Sequence, residues 1–252
     1  MRITAFYNLK GGVGKTAAAV NIAYLAAKSG LNTLVWDLDP QGAASCYFRI
    51  RPAPKKAKAS KLISGDVPIG RLVQQTVIPR LDLIPADFSY RKMDLLFDRS
   101  GKTHDQLYRI IEPFSESYAL VILDCPPSIS RLSENVFVAA DALCVPLIPT
   151  FLSVHAYQQL CEYLKKHNIS RKHVYSFFSM VDRRRKLHRE FLESPEALPG
   201  HVLHSYIPYS ATVERMGEHL APVGLFAPRD PVSEAYEQLW NEIVQHLKLT
   251  TP

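Results

Sequence analysis

The segment that most constrains this chain is Asn8-Leu9-Lys10-Gly11-Gly12-Val13-Gly14-Lys15-Thr16. An apolar run over residues 3–7 precedes it, and an alanine-rich helical pattern over 17–28 follows, stopped by Ser29-Gly30. Strand, glycine turn and helix in that order form the context a phosphate-binding loop requires. Glycines let backbone N–H groups curl around phosphate oxygens, and the helix N-terminus adds partial positive charge. In that arrangement Lys15 reaches the β- and γ-phosphates, and the Thr16 hydroxyl ligates Mg²⁺. The strict pattern G-x4-GK[ST] is not met, because Leu9 occupies its first glycine position. The competing reading is a strand–helix turn that carries no ligand.

Further apolar runs follow at 33–36, 81–84, 119–123, 142–147 and 174–180. Helical patterns at 103–115, 129–139 and 154–166 lie between them. Fully apolar strands alternating with helices predict an α/β fold, with a mostly parallel central sheet flanked by helices on both faces. Ligands of such sheets bind at the carboxyl ends of the strands, where the glycine and acidic motifs of this chain fall. No domain boundary or repeat is visible, so residues 1–252 are expected to form one domain. A hydrophobic fraction of 47% with 21% charged residues excludes disorder as the main state. The four cysteines form no CxxC pair, which argues against a disulfide scaffold. No run approaches the roughly 18–20 apolar residues of a membrane span. The N-terminus lacks a signal peptide, and a cytoplasmic protein is expected.

Two acidic elements complete the pattern. The second apolar run ends in Asp37-Leu38-Asp39-Pro40-Gln41-Gly42, with two carboxylates flanking one residue. The run 120–123 ends in Asp124-Cys125-Pro126-Pro127. An aspartate capping four apolar residues is a Walker B pattern, able to hold Mg²⁺ through water. Cys125 reads as a buried small side chain rather than a nucleophile.

With Lys10 ahead of its glycines, the loop resembles the deviant Walker A motif of the ParA/MinD family of P-loop ATPases. DxDPQG and DCPP resemble further boxes of that family. The resemblance implies a P-loop NTPase fold, ATP and Mg²⁺ as cofactors, and ATP hydrolysis. It makes Lys10 the signature lysine that crosses to the nucleotide of a partner subunit, so that ATP joins a face-to-face homodimer. It implies that Asp39 orients the attacking water, with Lys10 and Lys15 as the other catalytic groups. Thr16, Asp37 and Asp124 are the implied metal residues. Nucleotide contacts are expected from Lys10, Gly11, Gly12, Val13, Gly14, Lys15, Thr16 and Ala17. The segment Ser205–Tyr209 corresponds to the family's region near the adenine, which adds Pro208 and Tyr209. Val145-Pro146-Leu147-Ile148-Pro149 resembles a VPxxP segment that packs at the dimer face. The match is dense to about Pro149 and looser beyond. Ala17 and Ala43 depart from the threonine and asparagine common in the family, and neither position is required by the phosphate or Mg²⁺ argument.

The net charge of +6 is unevenly placed. Nine basic residues lie within 161–190: Lys165, Lys166, Arg171, Lys172, Arg183, Arg184, Arg185, Lys186 and Arg189. Only Glu162, Asp182 and Glu190 oppose them. From residue 191 onward the balance reverses to three basic and eight acidic. These nine are the expected contacts to DNA phosphates, bound without sequence preference. A solvated charged helix is the bland alternative. The stretch 51–61, with five basic residues and two prolines, reads as an exposed loop and a weaker DNA candidate. The amphipathic pattern at 235–249 has few cations, so it is expected to dock on the domain rather than on a membrane. No helix-turn-helix is expected ahead of Met1.

The resemblance thus implies an ATP-dependent dimerising switch on nucleoid DNA that partitions or positions a plasmid, chromosome or protein cluster. A ParB-like or cargo-bound adaptor would stimulate its hydrolysis. The alternative within the family is a MinD-like membrane-associated regulator. Outside positioning systems, an iron–sulfur reductase, a P-loop kinase or an amide ligase could use the same loop.

Overall fold

The computed structural model describes residues 1–51, 58–99, 104–169 and 173–250. Its strands are β1 (Arg2–Phe6), β2 (Thr33–Asp37), β3 (Gln74–Gln75), β4 (Leu81–Ile84), β5 (Leu120–Asp124), β6 (Ala142–Leu147), β7 (Val174–Phe178) and β8 (His201–Val202). They form one sheet in the order β3-β4-β2-β5-β1-β6-β7-β8. Every pairing is parallel except β3 with β4. The expected mostly parallel sheet with helices on both faces is the fold.

The apolar runs become strands because both of their faces are covered. Side chains alternate between faces with period two. On β5, Val121 and Leu123 enter one core and Leu120 and Ile122 the other. On β2, Leu34 and Trp36 face the first core and Val35 the second. Burying side chains of this size is worth about 1.5–3 kcal/mol each.

The helices in chain order are α1 (Lys15–Lys28), α2 (Ala43–Tyr47), α3 (Ala59–Ile63), α4 (Met93–Arg99), α5 (Gln106–Ile111), α6 (Arg131–Ala139), α7 (Phe151–Lys166), α8 (Lys186–Glu193), α9 (Ala211–Glu214), α10 (Met216–His219), α11 (Val223–Phe226) and α12 (Pro231–Leu247). Buried residues of α4, α5, α6 and α7 close the first core, and those of α1 and α12 close the second.

Several boundaries differ from the sequence expectation. The helix expected over 103–115 is α5 followed by a 3-10 turn at Glu112–Phe114. Pro113 lacks the N–H that would continue the α-helical ladder there. α7 begins three residues early, with Thr150 in the extended N-cap position and Phe151 and Leu152 exposed ahead of its buried stripe. The strand expected to reach 180 stops at Phe178, and Met180 takes a positive φ of 56°. α12 starts at Pro231, capped by the Asp230 carboxylate accepting from Val232 N at 2.9 Å. Its residues Tyr236, Leu239, Trp240, Ile243 and Leu247 are buried, so its apolar stripe is spent on the second core. Residues 59–61 of the stretch expected as a loop are helical, and residues 52–57 lie outside the described residues. No helix among the described residues is long and apolar enough to cross a membrane.

Candidate functional site

β1, β2 and β5 end level with one another. Phe6 and Asp37 both stand opposite Asp124 in the register. The glycine loop leaves β1 at this level and the two acidic elements leave β2 and β5, so three distant motifs share one sheet edge.

The loop is held from below by a side chain that the motif reading passed over. Asn8, buried, donates through Nδ2 to Pro146 O at 2.7 Å and accepts Lys10 N on Oδ1 at 2.9 Å. This ties the loop to the end of β6. Gly14 precedes α1 at φ 90°, where a side chain would be strained. A Cβ there would also lie 2.9 Å from Ser179 Oγ. No side chain caps α1, so its first-turn N–H groups face the loop without a competing acceptor. Val13 is buried, while Gly11 and Gly12 are exposed.

Lys15 is 7% exposed and donates through Nζ to Lys10 O at 3.2 Å. Burial lowers its pKa, against the opposing pull of Asp124, Cys125 and Asp39. The two aspartates favour the ammonium in place. Lys10 is half-buried, and its ammonium has no ion pair among the described residues. Thr16 and Ala17 follow in the first turn of α1.

Asp124 and Asp37 are both 0% exposed. Neither carboxylate oxygen of Asp124 has a hydrogen-bond partner. Burial drives its pKa well up, and Asp37 and Asp39 push it further, while the nearby Thr16 hydroxyl and Lys15 act the other way. A buried, unpaired carboxylate costs several kcal/mol. A hard cation placed between Asp124 and Thr16 removes that penalty, so these residues fit Mg²⁺. Asp37 is engaged elsewhere. Its Oδ2 accepts from Ser45 N at 2.8 Å and Ser45 Oγ at 2.7 Å, and its Oδ1 accepts from Asp39 N at 3.3 Å. Burial raises its pKa to about 6. Asp37 therefore adds negative field beside Asp124, with both of its own oxygens already used. Asp39 is half-buried at the mouth, where Oδ1 accepts Gln41 N at 2.9 Å.

Burial pushes the Cys125 thiol far above its usual range, and its Sγ lies 3.6 Å from Leu123 O. That is a buried, inert thiol.

Beside the loop, Gly14 and Ala17 share a cavity with Met180, Pro208, Tyr209 and Glu214. Ser179, Val213 and Tyr236 also line it. Pro208 and Tyr209 thus reach the glycine loop. Tyr209 is 55% exposed and donates through its hydroxyl to Glu214 Oε1 at 2.8 Å. The other wall residues come from the end of β7, from α9 and from α12. Sequence reading missed them because no local pattern links these segments.

The basic residues do not share one face. β6 and β7 are parallel neighbours, so α7 runs from the carboxyl edge of the sheet back to its amino edge. Sixteen residues of helix cover about 24 Å. Lys165 and Lys166, in its last turn, therefore sit at the edge opposite the glycine loop. Arg183, Arg184 and Arg185 follow β7 at the carboxyl edge, with Lys186 and Arg189 on α8. Arg184 grips Asp182 at 2.9 and 3.0 Å and holds that carboxyl down to about 2. Arg185 lies 3.6 Å from Asp182, and Lys186 lies 3.6 Å from Glu190. Arg189 donates to the Arg183 and Arg184 carbonyls. Arg171 and Lys172 lie outside the described residues.

Residues 1–175 match the family model AAA_31, an AAA domain. The chain is 30% identical over 251 residues to the chromosome partitioning protein ParA of Caulobacter vibrioides, covering 97% of this chain and 94% of that protein. It superposes with a TM-score of 0.85 on an aspartate-to-alanine variant of Cyanothece McdA in complex with ATP, at 19% identity, covering 100% and 98% of the two chains. Cobyrinic acid a,c-diamide synthase of Mycobacterium smegmatis, with an ATP analogue and magnesium bound, gives a TM-score of 0.84 at 23% identity, covering 98% and 96%.

Proposed function

Because this chain belongs to the ParA-type family of P-loop ATPases within the AAA_31 domain class, we propose that it is an ATP-dependent dimerising switch that rides on DNA. It is an ATPase of the partitioning and positioning kind. The whole chain, 1–252, is taken as one ATPase unit.

The observation that carries the dimer reading is Lys10. Its backbone is fixed by Asn8 and Lys15, while the residue is only half-buried and its ammonium makes no ion pair among the described residues. A cation so placed suits the phosphates of a second subunit's nucleotide, as an arginine finger does in other NTPases. Phe151 and Leu152, 71% and 74% exposed at the start of α7, give the same sheet edge an apolar surface to bury.

Lys15 and the N-terminal amides of α1 hold the β- and γ-phosphates. Thr16 and Asp124 hold Mg²⁺, which neutralises charge on the phosphate oxygens. Asp39 positions the attacking water. The cavity of Pro208 and Tyr209 takes the base. DNA is held through the carboxyl-edge cations, led by Arg183, because Arg184 and Arg185 already share Asp182. DNA is favoured over a membrane because the apolar stripe of α12 is already buried. An adaptor that stimulates hydrolysis, nucleoid association and a partitioned or positioned cargo follow from this cycle.

Light scattering and DNA co-sedimentation with ATP and Mg²⁺ test the reading. Asp39→Ala is expected to accumulate as a DNA-bound dimer, and Lys15→Ala to remain a monomer that binds no nucleotide. Normal turnover by Asp39→Ala overturns the role given to Asp39. An Arg183→Ala variant is expected to lose DNA affinity at low salt more than a Lys165→Ala/Lys166→Ala pair. Unchanged DNA binding in both variants overturns the basic-edge reading.

A further inference from the structure

Asn21 stands two turns into α1 and is 2% exposed. Asparagine is a poor helix former, and a fully buried one needs partners for its amide. Here both ends of the amide find partners. Nδ2 donates to Ala17 O at 2.8 Å and lies 3.3 Å from Met216 Sδ, and Oδ1 accepts Val223 N at 2.8 Å. Ala17 lies in the first turn of α1, directly after the glycine loop, and lines the cavity beside it. Met216 and Val223 belong to α10 and α11, about 200 residues away in the chain. The same C-terminal stretch carries Tyr209, Val213 and Glu214, the opposite wall of the cavity. One amide therefore joins the element that presents the phosphate amides to the segment that forms the far wall.

We propose that Asn21 is a positioning residue that sets the spacing between the phosphate site and the base site. This rests on the reading that the cavity takes the nucleotide base. Phosphate and base are linked by a ribose of fixed length, so both ends can be held at once only if the two walls stand at the matching separation. α9, α10 and α11 are each four residues long and cannot hold their place by helical structure alone. The Val223 N–H is buried and answered by Asn21 alone among the described residues. Neighbouring contacts support the same junction: Tyr24 Oη donates to Gly224 O at 3.3 Å, and Thr212 Oγ1 donates to Asp230 Oδ2 at 2.6 Å. Neither of those reaches the first turn of α1.

The test compares two ligands that share the phosphate site and differ in the base. Calorimetric affinities are measured for ATP and for inorganic tripolyphosphate, each with Mg²⁺, and folding is followed by circular dichroism. The unaltered protein is expected to prefer ATP. Asn21→Ala is expected to weaken ATP by about tenfold and tripolyphosphate by less than about twofold. Val223→Pro removes the N–H donor together with the buried valine side chain, at a first helical position where proline is tolerated, and is expected to give the same selective loss. Equal loss of both ligands, or an unchanged ratio, in either folded variant overturns the positioning role. Loss of the folded state in both variants makes the residue structural and also overturns it. Equal affinity of the unaltered protein for the two ligands overturns the base reading itself, which separates that failure from a failure of Asn21.

Discussion

The ends of β2 and β5 carry the same residue type at paired positions, yet they are built for different work. Asp37 and Asp124 stand side by side in the register and neither is exposed. Asp37 receives three hydrogen bonds, two of them from Ser45. Asp124 receives none. Within one sheet edge, the protein has answered one buried carboxylate internally and left its neighbour without a hydrogen-bond partner. Ser45 Oγ also accepts Ala86 N at 2.9 Å, so the satisfied aspartate is part of a brace linking β2, α2 and the loop after β4. The unsatisfied one is the carboxylate on which the proposed Mg²⁺ site depends.

The strongest test of this contrast is Asp124→Asn. It is expected to reduce Mg²⁺-dependent ATP hydrolysis by at least about a hundredfold, since a group that stabilises transition-state charge is lost. The same substitution removes a buried unpaired charge, so the metal-free protein is expected to melt at a higher temperature. Asp37→Ala is expected to do the reverse to stability. Ser45 N and Oγ lose their acceptor, at a cost of about 1–3 kcal/mol, and the melting temperature falls. Shifts of the same sign in both variants, read in a scanning calorimeter, would dissolve the distinction. Ser45→Ala is a gentler version, expected to cost about 1–2 kcal/mol through Asp37 and Ala86 N together.

The smallest effect is a pH dependence. Burial raises Asp37 to about 6, above the usual carboxylate value, so the folded protein binds this proton more tightly than the unfolded chain. Its contribution is fully present below about pH 4 and is lost as pH rises through about 6. Asp124, raised as well, acts in the same direction. Without Mg²⁺, the melting temperature is expected to fall between about pH 4 and pH 6, and the fall should shrink in Asp124→Asn. Mg²⁺ with ATP should flatten it. A slope indifferent to both would mean that the pair does not control it.

What was legible in the sequence was whatever local order encodes. Lys10 to Thr16, the aspartates at strand ends and the apolar runs are contiguous, and backbone geometry turns them into a site without further information. The braces were not legible. Asn8 reaches Pro146, Ser45 reaches Ala86, and Asn21 reaches Val223, each a polar side chain whose partner is set by which strands are neighbours. The basic residues show the converse. Lys165 and Arg183 are close in sequence, but the strand β7 crosses the sheet between them, so sequence density of charge did not become a patch. The two-residue strands β3 and β8 also escaped notice, being too short for any periodicity.

Those two short strands have a consequence for how the molecule meets others. They are the borders of the sheet, and each offers only a couple of peptide groups for pairing. A border that brief is a poor template for adding another chain through backbone hydrogen bonds, which is how sheets grow into open-ended fibres. Encounters between copies are left to side chains, whose contacts can be made and broken by a change of charge. Copies that meet only in this way can gather in numbers and still let go.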